Sequence, residues 1–268
     1  MKFKLLWKCF PIMIFVLLIC WTYFVSIIQI ILFRIDNSRP LKYFLLIFIH
    51  LILIFYIWSY MAATSSTPCP VPEQFHLSKE DLAVLESFPD QEARSTFFKS
   101  IIAKGKLPIS QIQYCAHCRV IQSDRAHHCT FCQRCVLNMD HHCFWISNCI
   151  GIHNQKSFLL FLVYGALYCA LVSITTFVYF LNIVKEESMY LTINEFNLVV
   201  IFILSSIFFI IKLIFSFYNF FLIVSNRLTI EFLYHSTIPK EIIIHSEFVE
   251  NFQKVFGKNI FTWFLPIV

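Results

Sequence analysis

Charge is scarce in this chain. Asp, Glu, Lys and Arg make up 14% of its 268 residues, where a soluble domain carries roughly a quarter. That shortage excludes an ordinary water-soluble globule, because too little polar surface is left to cover so apolar an interior. Glycine (4) and proline (9) are also few, which excludes collagen-like repeats and low-complexity disorder. A formal net charge of +5 is too mild for a nucleic-acid binder and suits a membrane protein with basic faces on one side. What the chain has instead is apolar: 58% hydrophobic and 18% aromatic, with a mean hydropathy of +0.70. That excess needs lipid.

A hydrocarbon core asks for about 20 consecutive apolar residues per helix. Four runs qualify: Ile12–Phe33, Tyr43–Met61, Phe158–Ile183 and Leu198–Val224. The first is too long for a signal peptide and is followed by no small-residue cleavage site, so it reads as a retained anchor. Arg34 to Pro40 reads as a short turn, which makes a hairpin of the first two spans. The expected organisation is an integral membrane α-helical protein. Residues 1–61 carry transmembrane helices 1 and 2, residues 62–157 form a polar segment, residues 158–225 carry helices 3 and 4, and residues 226–268 form a C-terminal tail. Ser78-Lys79-Glu80-Asp81, ahead of Leu82 and Leu85, has the pattern of a capped helix start. Four spans place both termini and the polar segment on one side. Sixteen of the 21 Lys and Arg fall there, so that side is expected to be cytosolic.

Seven of the eleven cysteines lie between Cys115 and Cys149, interleaved with His117, His127, His128, His141 and His142. Disulfide scaffolds rarely contain so much histidine; paired C-x-x-C units with histidine read as zinc ligands in a reducing compartment. A structural zinc takes four ligands. Two sites filled by six cysteines and two histidines leave one thiol over. The count permits one reactive cysteine without identifying it. Cys143 is the candidate, because Asp140-His141-His142 precedes it and an adjacent base activates a thiol. Neighbouring side chains diverge in a regular strand, so Asp140 and His141 can serve Cys143 only if the backbone bends there.

Cys115-Ala-His-Cys118, Asp124-Arg125-Ala126-His127-His128-Cys129, Cys132, Cys135, Asp140-His141-His142-Cys143, Trp145, Asn148-Cys149-Ile150-Gly151 and Asn154 resemble the cysteine-rich domain of DHHC protein S-acyltransferases (palmitoyltransferases), over about residues 113–157. The four-span layout with a cytosolic zinc-binding domain between helices 2 and 3 is similar to that family too. The resemblance implies Cys143 as the acylated nucleophile, His141 as general base and Asp140 as its orienting partner. It implies one zinc on Cys115, Cys118, His128 and Cys135, and a second on Cys129, Cys132, His142 and Cys149. In the tail, Leu228-Thr229-Ile230-Glu231 resembles the family's Thr-Thr-x-Glu motif, and Asn251 with Val255-Phe256-Gly257 its asparagine motif. Phe144 stands where the family usually has proline, and Leu228 where it has a first threonine.

The activity implied is transfer of a long-chain acyl group, palmitoyl, from acyl-CoA through an acyl-Cys143 intermediate to cysteines of membrane-associated proteins at the Golgi or another endomembrane, the ER or plasma membrane. Two structural zinc ions and acyl-CoA as co-substrate go with it. By resemblance Thr22 and Tyr168 fall at the end of the acyl cavity, and Trp145 lies beside the nucleophile. Arg125, with Arg134 and Lys156, is a candidate for the CoA phosphates. Lys212, in the middle of the fourth span, is the one mid-span lysine and calls for a function or a partner. The competing expectation is a membrane-anchored zinc-binding adaptor without acyltransferase activity.

Overall fold

Backbone in a hydrocarbon core finds no water to bond, so a spanning segment satisfies its own amides as a helix. The computed structural model describes residues 2–32, 39–88, 91–105, 113–123, 125–185, 192–233 and 245–267. Within them α1 (Lys2–Tyr23) widens into a π-helical stretch, Phe24–Leu32. After it come α2 (Arg39–Ser65), α5 (Gln155–Lys185) and α6 (Ile193–Val224). Among the described residues four stretches are long and apolar enough to cross a membrane: Cys9–Ile31, Arg39–Ser65, Gln155–Leu181 and Ile193–Val224. Most of the turn expected over Arg34 to Pro40 lies outside the described residues. The helices outrun the apolar runs because polar ends still cap them. Thr192, for example, accepts from the Glu195 amide while Glu195 Oε2 accepts from the Thr192 amide at 2.7 Å, and α6 begins before its first apolar run.

One stripe of α6 (Ile203, Ile207, Ile210, Ile214, Phe217) is left exposed at the three-to-four spacing of a single helix face, which is the lipid-facing side. Inward, Phe15 stacks on Tyr60 with ring centroids 3.8 Å apart, and Tyr56 stacks on Phe161. Gly165 allows this closeness: a Cβ there would lie 2.6 Å from a Tyr56 ring carbon. Polar side chains in the spans pair between helices, a common solution in lipid. His50 Nδ1 donates to the Leu46 carbonyl, which leaves Nε2 to accept from Tyr23 Oη at 3.1 Å. Ser173 and Ser205 hydroxyls meet at 2.8 Å between α5 and α6.

Among its described residues the segment between α2 and α5 holds two α-helices, α3 (Lys79–Ser87) and α4 (Gln91–Gly105), and three antiparallel hairpins. Ser78 caps α3 through the capping box expected from the sequence. The hairpins pair β1 (Gln113–Cys115) with β2 (Val120–Gln122), β3 (His127–Cys129) with β4 (Arg134–Val136), and β5 (Met139–Cys143) with β6 (Asn148–Gly151). Asn148 and Asn154 fasten this domain to the membrane helices. Asn148 Nδ2 donates to the carbonyls of Ala63, Thr64 and Ser66 at the end of α2, and Asn154 Nδ2 donates to Ser66 Oγ and Cys149 O. After α6 the tail forms α7 (Thr229–Leu233) and α8 (His245–Phe256). Asn251 Nδ2 donates to the Val224 carbonyl and so closes the end of α6. Phe248 and Phe252 of α8 pack on Phe220 of α6, so its apolar face lies against the helices.

Candidate active site and metal centres

Each hairpin turns in four residues with the fourth in the left-handed region: Arg119 (φ 57°), Gln133 (φ 54°) and Ser147 (φ 50°). The turns are fourteen residues apart, and so are the donors. Cys115, Cys118, His128 and Cys135 form one cluster, and Cys129, Cys132, His142 and Cys149 form the other, each within 4.8 Å. In both, a turn supplies two cysteines and the next hairpin supplies a histidine and a cysteine. His128 Nδ1 stands 3.5, 3.3 and 3.9 Å from the sulfurs of Cys115, Cys118 and Cys135. His142 Nδ1 stands 3.5, 3.5 and 3.6 Å from those of Cys129, Cys132 and Cys149. A tetrahedral zinc bound by Cys and His spaces its donor atoms roughly 3.4–3.8 Å apart. The two Cys3His clusters therefore fit zinc. The fourteen-residue period is visible in the sequence and is a signal that counting ligands passes over. In the third turn Cys143 occupies the place of Cys115 and Cys129, but Ile146, fully buried, stands where Cys118 and Cys132 stand. The third turn therefore lacks the second thiol of a metal-binding pair.

β5 divides His141 and Cys143 from His142, the histidine of the second cluster. Alternation along the strand puts His141 and Cys143 on one face and His142 on the other. A bulge between Met139 and His141 supplies the required bend and brings Asp140 to the His141 side. His141 Nδ1 lies 2.6 Å from Asp140 Oδ2. Asp140 is 1% exposed, and a buried carboxylate needs donors. Thr229 provides two: its amide donates to Oδ1 at 2.6 Å and its Oγ1 donates to Oδ2 at 2.9 Å. That partnership joins residues 89 positions apart, and nothing in the sequence pairs them. Burial pushes the His141 imidazole down, but hydrogen bonds to Asp140 and Cys143 and the charges of both outweigh it and raise it to about 9. With Nδ1 committed to Asp140, Nε2 is left for the thiol.

Cys143 and His141 open onto a cavity of about 220 Å³ that runs between the four spanning helices. Its wall is aromatic and aliphatic: Phe15 and Leu18 from α1, Tyr56 and Tyr60 from α2, Phe158 and Phe161 from α5, Ile211 and Phe215 from α6. Trp145 lines it beside Cys143, with its carbonyl accepting from Tyr60 Oη at 3.2 Å. Thr22 and Tyr168 also line it, and their hydroxyls meet at 3.0 Å across α1 and α5. Phe144 is 44% exposed at the tip of the third turn, so the ring in proline's place points outward. Arg125 bridges the hairpins to the tail: its Nε lies 2.8 Å from Glu231 Oε1, and its other nitrogens donate to Asn226. Lys156 donates to the Ile267 carbonyl at 2.8 Å, and Arg134 is exposed. Leu228 makes its amide available to Glu231 Oε2, so the departure at that position costs a side-chain hydroxyl and keeps a backbone bond.

The family description "DHHC palmitoyltransferase" matches residues 109–236. Similar curated proteins include palmitoyltransferase ZDHHC20 of Homo sapiens, 32% identical over 282 residues, which cover 98% of this chain and 76% of the relative. Palmitoyltransferase ZDHHC2 of Danio rerio is 33% identical over 269 residues (96% of this chain, 73% of the relative). Palmitoyltransferase ZDHHC15 of Rattus norvegicus is 31% identical over 267 residues (96% and 78%). The third turn, the bulged strand and the cavity below it all fall in the shared region, and with similarity running over nearly the whole length the chain belongs to the DHHC palmitoyltransferase family.

Proposed function

We propose that this protein is a protein S-acyltransferase that moves a palmitoyl-type acyl group from acyl-CoA to cysteines of membrane-associated proteins. The observation that carries this reading is a thiol, Cys143, at the mouth of an apolar cavity with His141 beside it and the buried Asp140–Thr229 pair behind. His141 Nε2 takes the proton from the Cys143 sulfur. The thiolate attacks the acyl carbonyl carbon, the bond to CoA sulfur breaks, and CoA leaves with a proton. A second cysteine thiol attacks acyl-Cys143, loses its proton through the same imidazole, and carries the acyl group away. Both exchanges swap one thioester for another, so no energy source is needed. Asp140 holds the imidazole tautomer and stabilises its charged form.

Zinc ions held by the two Cys3His clusters would supply structure, fixing the β5–β6 hairpin through His142 and Cys149 while Cys143 stays free. The acyl chain fills the cavity, each buried CH2 contributing about 0.8 kcal/mol, and the Thr22–Tyr168 pair narrows its deep part. Arg125, with its side chain 30% exposed, and Trp145 at the cavity mouth face the CoA headgroup. The excess of Lys and Arg on the side of the cysteine-rich domain supports a cytosolic orientation in an endomembrane such as the Golgi, the ER or the plasma membrane.

The test is incubation of the purified chain in detergent with an alkyne-labelled palmitoyl-CoA. Hydroxylamine-labile label is expected in wild type and absent in Cys143→Ser. A folded, zinc-loaded wild type that takes no label would overturn the reading and leave a membrane-anchored zinc-binding adaptor.

A further inference from the structure

Lys212 does not reach the membrane surface. Its ammonium points into the cavity, over the Phe161 ring at 4.2 Å and the Tyr56 ring at 5.2 Å from the centroids. Among the described residues it has no ion-pair partner and no hydrogen-bond acceptor; two ring faces receive it, and the Cys169 thiol lines the same cavity wall nearby. A desolvated cation with three donors and no acceptor is costly in the middle of a span and marks a place where a ligand is bound.

Its depth says which part of a ligand it meets. Lys212 packs against Gly165, where a Cβ would lie 3.0 Å from Nζ. The His141 ring contacts Phe158 at 5.6 Å, seven residues earlier on α5. At 1.5 Å per residue the ammonium lies about 10 Å below the nucleophile's level. That is too far for the reacting thioester oxygen and level with the middle of a long acyl chain. The cavity continues past it to Val172 and Ser205, so the ammonium flanks the channel partway down and does not form its floor.

We propose that Lys212 is a specificity-determining residue that makes this cavity favour long acyl chains bearing a hydroxyl or oxo oxygen near mid-chain over plain alkyl chains. A plain chain leaves the ammonium dry and without an acceptor. A chain oxygen at that depth accepts from Nζ while the carbons above and below keep their apolar contacts. An extended chain advances about 1.2 Å per bond, so the matching oxygen lies near the eighth to tenth carbon. The proposal rests on the reading of the cavity as the acyl channel.

The experiment loads the full-length purified protein with hexadecanoyl-CoA, with its isomer hydroxylated near the ninth carbon, or with its isomer hydroxylated at the far end. Hydroxylamine-labile acyl-Cys143 is followed in wild type, Lys212→Met and Lys212→Arg. Wild type should prefer the mid-chain alcohol over the plain chain by at least about tenfold, the value of a hydrogen bond to a charged donor. Lys212→Met, which fits an apolar slot, should load the plain chain better than wild type and lose the preference. Lys212→Arg should keep part of it, and the terminal alcohol should gain nothing from Lys212. An unchanged ratio in Lys212→Met overturns the inference. A gain in Lys212→Met confined to longer plain chains overturns it as well, because the ammonium would then be a length stop. Failure of every acyl-CoA to load wild type would instead overturn the acyltransferase reading itself.

Discussion

Replacing Thr229 by valine tests whether the tail is part of the chemistry. The substitution keeps the shape of the side chain and the amide bond to Asp140 Oδ1, and removes only the hydroxyl that donates to Oδ2 at 2.9 Å. Oδ2 is the same oxygen that holds His141 Nδ1 at 2.6 Å. With Asp140 1% exposed, water does not replace the lost donor. A hydrogen bond to a charged group is worth about 1.5–3 kcal/mol, which is roughly ten- to a hundredfold if it is felt in the transition state. The assay is single-turnover loading of Cys143 at saturating palmitoyl-CoA, with zinc content measured on the same sample. Thr229→Val should load ten- to a hundredfold more slowly with both metal sites filled, while Thr229→Ser, which keeps the hydroxyl, should stay within a few-fold of wild type. Loading by Thr229→Val within about twofold of wild type would refute the reasoning and reduce Thr229 to a helix-start residue.

Mass spectrometry should find two zinc ions per chain and about one in Cys135→Ser, with strong chelation abolishing loading; full loading of a metal-free protein would contradict a structural role for the clusters. Asn154→Ala strands the Gly151 amide that donates to Asn154 Oδ1 and should cost about 1–3 kcal/mol of stability, seen as a lower melting temperature in detergent; an unchanged transition would mean the domain is held to α2 by other contacts. Glu231→Gln breaks the charge pairing with Arg125 but leaves the cation, whereas Arg125→Ala removes both, so only Arg125→Ala should raise the KM for acyl-CoA; equal effects would confine Arg125 to bridging the tail. Tyr168→Ala opens the deep end of the cavity and should shift competition between palmitoyl-CoA and longer acyl-CoAs toward the longer chains; an unchanged ratio would place the limit elsewhere.

Local features of the chain were legible from its residues. Spans follow from runs of apolar side chains, and a capped start at Ser78 follows from two side chains three positions apart, Ser78 and Asp81. The metal donor sets came through resemblance to known motifs, and the geometry groups the same residues. What residues alone could not show lies in pairings across long separations. Thr229 meets Asp140, and Glu231 meets Arg125, only because the tail folds back under the hairpins. The direction of Lys212 is equally hidden: its position in a span is plain from the sequence, but whether it reaches for the surface or the interior depends on the space Gly165 leaves beside it. Strand alternation alone demands a bend at Asp140 for His141 and Cys143 to share it, but no residue pattern marks the bulge that provides it.

Three turns of one design have consequences for how a reactive sulfur arises. Two of them carry a second cysteine and are suited to chelation. The third carries isoleucine at that place, and a lone thiol cannot compete for metal against complete four-donor sets nearby. Its sulfur keeps the backbone setting of a metal-binding turn while remaining chemically unoccupied. The reactivity proposed for Cys143 would thus follow from the absence of a neighbouring thiol, and one buried aliphatic side chain, Ile146, would guard it against capture by zinc.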